Sequence, residues 1–180
     1  MTFKLIRSES LLKGRAFEIR RDWMQSPDGR ETNFDVIDHG GSVILVPVDK
    51  EGNLLFVRQY RHAAGQDLLE LPAGTLEKGE DPDRCAAREL REETGYAAGH
   101  LRRIGDFYLA PGYSTELMVV YLASDLVAAP LESDPDEFIT LERLELKAAL
   151  ALARQGKLPD AKSLAALYLA EEYLQAPGTP

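Results

Sequence analysis

GTLEKGEDPDRCAARELREETGY, residues 74–96, is the stretch on which the fold turns. Asp81 is a good helix N-cap, and Pro82 after it gives up no needed hydrogen bond at the first helical position. Gly95 is a C-terminal stop. The spacing therefore predicts a helix from Pro82 to Thr94. Residues three and four apart share a helix face, so Glu89, Glu92 and Glu93 gather on one side. Ala86, Ala87, Leu90 and Thr94 form the adjacent stripe, able to pack on a sheet. Like charges at these spacings cost a few tenths of a kcal/mol per pair, and burial raises the cost. A hard divalent cation, which takes oxygen ligands, removes the conflict. Three glutamates alone would suit a solvated helix face better than a cation site.

Upstream the pattern is strand-like. Residues 15–25 alternate Phe17, Ile19 and Trp23 with charged neighbours, Ser26-Pro27-Asp28-Gly29 supplies a turn, and residues 31–38 return as the second arm of a hairpin. Residues 42–48 (SVILVPV), 54–60 (LLFVRQY) and 66–71 are further strands. Downstream, residues 101–109 and 116–123 flank the loop 110–115, and residues 138–144 are one more strand. Helices over 146–155 and 161–174 close the chain, the latter capped by Asp160. Strands interleaved with helices predict a mixed α/β or α+β sandwich.

The 180 residues carry 21 Lys+Arg against 30 Asp+Glu, a formal net charge of -9. That balance argues against nucleic acid as a partner, which would call for a basic face. A small phosphorylated substrate stays open, because metal ions bridge two negative partners. Residues 74–95 hold seven acids and four bases, and residues 132–145 hold six and one, so these two segments contain most of the surplus. No apolar run approaches the ~20 residues that span a bilayer, and no signal-peptide core opens the chain. The expectation is a cytoplasmic protein with no membrane partner. Cys85 is the only cysteine, which excludes an intrachain disulfide and a CxxC zinc site.

Residues 74–96 resemble the Nudix hydrolase signature, carried here by Gly74, Glu80, Arg88, Glu89, Leu90, Glu92, Glu93 and Gly95. Tyr96 stands where the signature has an aliphatic residue. The resemblance extends to LLFVRQYRHAAG (54–65), LLELPAGTLE (68–77) and APGYSTE (110–116), which are similar to segments of the ADP-ribose pyrophosphatase and nucleoside diphosphate sugar hydrolase branch. Pro111 lies 15 residues past the end of the box at Tyr96, the offset associated with ADP-ribose. The resemblance implies a Nudix fold: an α/β/α sandwich around a mixed sheet, with an N-terminal antiparallel strand region. It implies residues 1–40 as that strand region, helping to build a homodimer, 41–175 as the hydrolase domain, and 176–180 as a tail.

The resemblance further implies hydrolysis of ADP-ribose or a related nucleoside diphosphate sugar to a nucleoside monophosphate and a sugar phosphate. The cofactor would be Mg²⁺, or Mn²⁺, about two or three ions per site. Glu89 and Glu93 match the principal metal ligands, with Glu92 and the Ala73 carbonyl as additional ones. Arg88 and Glu80 match positions that orient the box. Glu137 matches the acid that activates water, with Glu132, Asp134 and Asp136 as alternatives in the same loop. Arg61, and beside it Arg58, would meet the phosphates; Glu70 would meet a ribose hydroxyl, and Glu116 a metal or the substrate. Trp23 and Phe34 would stack on adenine in a site shared between subunits, or pack as core. The competing readings are a different preference, such as GDP-mannose or a dinucleotide, and a non-catalytic nucleotide-sugar sensor.

Overall fold

A computed structural model of the chain describes residues 2–132 and 138–175. Two compact units can be separated. The first comprises residues 1–41 and 107–117, and the second residues 42–106 and 118–180.

The first unit is built on a three-stranded antiparallel sheet of β1 (Lys4–Lys13), β2 (Phe17–Gln25) and β3 (Glu31–His39), in that order. The predicted hairpin is β2–β3, closed at Ser26–Arg30 with Gly29 at φ 89°, a conformation that favours glycine. β1 is an added strand whose ten residues are all exposed. The loop after Tyr108 docks on β3: Ile37 N–H donates to the Tyr113 carbonyl, and Thr115 N–H to the Ile37 carbonyl.

The second unit holds two sheets. One runs β10–β5–β6, from β5 (Asn53–Arg61), β6 (Gln66–Glu70) and β10 (Ile139–Glu145), all antiparallel. The other runs β7–β4–β9–β8, from β4 (Ser42–Pro47), β7 (Ala73–Thr75), β8 (Tyr96–Tyr108) and β9 (Leu117–Ala128). It is mixed, since β4 pairs parallel with β9 and antiparallel with β7. Three helices complete it: α1 (Pro82–Thr94), α2 (Leu146–Arg154) and α3 (Ala161–Gln175).

Alternation explains the packing. Val43 and Leu45 of β4 and Val119, Tyr121 and Ala123 of β9 form one cluster with Cys85, Ala86 and Leu90 of α1. The intervening Ile44 and Val46 are equally buried, so β4 is covered on both faces, and α1 and α3 each pack against it. This is the expected α/β/α arrangement. Truncating Leu90 to Ala would cost about 2–5 kcal/mol by leaving a cavity beneath α1. Among the described residues, no helix is long and apolar enough to cross a membrane.

Candidate active site

α1 starts and stops where its sequence dictates. Asp81 accepts a hydrogen bond from the Asp83 N–H at 3.0 Å, Pro82 takes the first position, and Gly95 closes the helix at φ 79°. With both ends fixed, the polar face has a fixed direction. Arg88 is its hub. Its Nε and Nη2 donate to the two carboxylate oxygens of Glu80 at 3.0 and 2.9 Å. Its Nη1 donates to Glu89 at 2.7 Å and to Glu92 at 2.8 Å. The guanidinium holds the Glu80 carboxyl down to about 2, against partial desolvation, with the Glu77 N–H adding to the effect. The same pairing raises the pKa of Arg88 itself.

Glu89 and Glu93 lie one turn apart and are nearly buried, at 8% and 7% exposure. Glu93 accepts the Ala73 N–H at 3.0 Å. Glu89 lies against Gly74, where a Cβ would fall 1.8 Å from its carboxyl carbon. Any side chain at Gly74 would fill the space the carboxylate occupies. Glycine at that position is therefore a cradle rather than a flexible joint.

These donors fit a hard divalent ion: two nearly buried carboxylates at (i, i+4), Glu92 beside them, and oxygen chemistry throughout. Among the described residues, no three acid, histidine or cysteine side chains already converge as a cage. Arg88 stands bonded among the glutamates instead. Cys85 does not contribute a nucleophile: burial, with Glu89 and Glu80, pushes its thiol up to about 12.

A second cluster sits at the β5–β6 edge. Arg61 Nε and Nη2 donate to both oxygens of Glu70 at 2.8 and 2.7 Å. Glu70 is 1% exposed and also bonds Lys162 of α3. Burial pushes the Glu70 carboxyl up, but Arg61 and Lys162 outweigh it and the net shift is downward. The bonds to Glu70 raise the pKa of Arg61 against partial desolvation, and the charge of Glu93 adds a smaller effect in the same direction.

The structure does not bring Arg58 to this cluster. It lies three residues before Arg61 on one strand, hence on the opposite face, and donates to Glu142 at 2.5 Å. Pro111 and Glu116 belong to the first unit, where Pro111 is exposed and the Glu116 carbonyl accepts the Leu109 N–H. So do Trp23 and Phe34. Trp23 pairs across the sheet with Asn33, and Phe34 with Asp22, so the two rings point to opposite faces. Arg7 lies 3.3 Å over the Trp23 ring, and Phe3 meets Phe34 edge-on at 5.6 Å. Two rings so placed cannot sandwich one base within a single chain. Glu137 lies outside the described residues, as do Asp134 and Asp136.

Sequence reasoning missed Lys162 and Ser163. One signal was available: a lysine in the first turn of a helix opposes the helix dipole, so it needs a local anion to justify it.

The NUDIX domain family model matches residues 38–167. The chain belongs to the Nudix family and is a Nudix hydrolase. It is 36% identical over 174 residues to an ADP-ribose pyrophosphatase of Bacillus subtilis (strain 168), covering 96% of this chain and 92% of that one. It is 35% identical over 176 residues to a methanol dehydrogenase activator of Bacillus methanolicus, with the same coverage. In fold it is similar to a crystal structure of an ADP compounds hydrolase, with a TM-score of 0.86 at 24% identity over 100% of this chain and 98% of that one.

Proposed function

We propose that this Nudix hydrolase cleaves the pyrophosphate bond of ADP-ribose, or of a closely related nucleoside diphosphate sugar, giving AMP and ribose 5-phosphate from ADP-ribose. The carrying observation is the pair of nearly buried glutamates, Glu89 and Glu93, set one turn apart on α1 and held in place by Arg88, Gly74 and the Ala73 N–H. Glu89 and Glu93, with Glu92 and the Ala73 carbonyl, would hold Mg²⁺ or Mn²⁺, about two or three ions, which when bound neutralise the pyrophosphate and lower the pKa of a water.

This chain's own residues do the rest. Arg88 keeps three carboxylates from splaying apart. Arg61, fixed by Glu70, offers its remaining N–H to a phosphate oxygen. Glu137 takes the proton of the attacking water as its oxygen bonds to phosphorus. The bond from that phosphorus to the bridging oxygen breaks, and the bridging oxygen leaves on the other phosphate.

A panel assay with Mg²⁺ on ADP-ribose, GDP-mannose, NADH and diadenosine polyphosphates tests the reading. ADP-ribose is expected to be cleaved fastest, with EDTA abolishing turnover. No cleavage of any pyrophosphate at high enzyme concentration would refute it. Glu137→Gln should lower kcat strongly with little change in KM; a near-wild-type kcat would remove Glu137 from the mechanism.

The proposed assembly is a homodimer through the first unit. Phe3, Leu5 and Phe34 are exposed there, with Leu5 and Phe34 on one face of the sheet and Phe3 against the Phe34 ring, an apolar surface that a second copy would cover. Sedimentation at micromolar concentration should give twice the chain mass of 20.0 kDa. The proposed setting is the cytoplasm, where Cys85 stays reduced.

A further inference from the structure

We propose that Lys162, at the start of α3, is a positioning residue for Arg61, acting through Glu70. The inference rests on the reading of Arg61 as a phosphate contact and adds an element to it, because α3 lies outside the sequence motifs from which the site was read.

Three observations support it. First, Glu70 is 1% exposed and is bonded by both Arg61 and Lys162. A carboxylate so buried needs its charge met, and Arg61 alone is tethered on one side. Lys162 bonds the same oxygen, Oε2, that receives Arg61 Nη2, and so pins the carboxylate plane that sets the direction of the guanidinium. Second, Lys162 is itself pinned. Its side chain is only 12% exposed, and it donates to Asp160 at 2.8 Å. Asp160 also accepts the Ser163 N–H at 3.0 Å and the Ser163 hydroxyl at 2.5 Å. The position of the ammonium is therefore fixed by the cap of α3.

Third, the same turn of helix holds the backbone that leads to the metal side. The Leu71 N–H donates to the Ser163 hydroxyl at 2.7 Å. One residue further, the Pro72 carbonyl accepts the Leu45 N–H at 2.8 Å, and Ala73 N–H reaches Glu93. Residues 70 to 73 are thus fixed at every step. Glu70 and Leu71 are held by α3, and Pro72 and Ala73 by β4 and α1. Of these anchors, Lys162 is the cation that α3 supplies, and the Arg61 arm is the one it orients.

The test is a double-mutant cycle with KM and kcat read separately. Lys162→Met should raise KM about tenfold, the change that about 1.4 kcal/mol of lost contact produces. Its kcat should stay within about twofold, and Lys162→Arg, which keeps the cation, should restore KM. Adding Lys162→Met to Arg61→Ala should change KM no further, because the lysine acts only through the arginine. If Lys162→Met does not fold, Lys162→Gln takes its place with the same expectations. KM is measured on whichever pyrophosphate the wild type cleaves. If it cleaves none, the functional reading fails and the positioning role with it. Cleavage with an unchanged KM in the folded variant, or with additive effects in the cycle, overturns the positioning role alone.

Discussion

The two ionic clusters of the second unit are built from the same groups and balanced differently. Around Arg88 one cation serves Glu80, Glu89 and Glu92, leaving these four side chains two negative charges in excess. Around Glu70 two cations, Arg61 and Lys162, meet two carboxylates, Glu70 and Asp160, and the four sum to zero. The balanced cluster contains the more deeply buried acid, as desolvation requires. The unbalanced one keeps its excess on the helix face that resembles a cation site. The difference supports two proposed jobs that a count of acids merges: one cluster would gather negative charge for a metal ion, and the other would hold a positive charge still.

The largest effect should come from the unbalanced cluster. Glu93→Gln removes a charge from the proposed metal face and should leave less than ~1% of wild-type turnover under saturating Mg²⁺. Full retained activity would refute its ligand role. Next is Gly74→Ala, whose new methyl must displace the Glu89 carboxylate. It should lower kcat/KM by about 10–100-fold, the range typical of losing a supporting contact to a metal ligand. A wild-type value would show that the cradle is not needed.

Arg88→Lys is expected to be milder, about tenfold in kcat/KM. A lysine keeps the charge but cannot fork to Glu80 while serving two more carboxylates. An activity equal to wild type would mean that charge alone matters at the hub.

The smallest effect concerns stability. The pKa of Glu80 is lowered on folding, from the ordinary 4.5 to about 2. Its contribution is therefore fully present above about pH 4.5 and lost as pH falls toward 2. Thermal melts at pH 6 and pH 3 should differ less in Glu80→Gln than in the wild type. An equal difference in both would show that the Arg88 pair does not stabilise the fold.

Much of this was legible in residue order. Asp81-Pro82 and Gly95 bounded α1 because capping is local chemistry, and the observed bounds coincide with those expected. β1 was not read from the residues, although the resemblance put residues 1–40 in a strand region, because none of its ten residues is buried and a strand with no covered face leaves little alternation to read. β8 starts earlier than expected, at Tyr96 instead of Leu101, and β9 runs further, to Ala128 instead of Ala123, because ladder pairing continues past the apolar stretch that marks each strand. The glutamate face of α1 was visible because its spacing is three and four. The Lys162–Glu70 contact was not, since it joins residues 92 apart. Arg58 and Arg61 looked like one basic pair by proximity, yet strand parity alone puts them on opposite faces.

The central claim is that the unbalanced glutamate face performs metal-dependent pyrophosphate hydrolysis. ³¹P NMR of ADP-ribose with the purified protein tests it most directly. The pyrophosphate resonances should give way to two phosphomonoester resonances in equal amount, only when Mg²⁺ or Mn²⁺ is present, and not with Glu93→Gln. Pyrophosphate resonances that persist with wild-type protein and metal, or that vanish equally with Glu93→Gln, would contradict it.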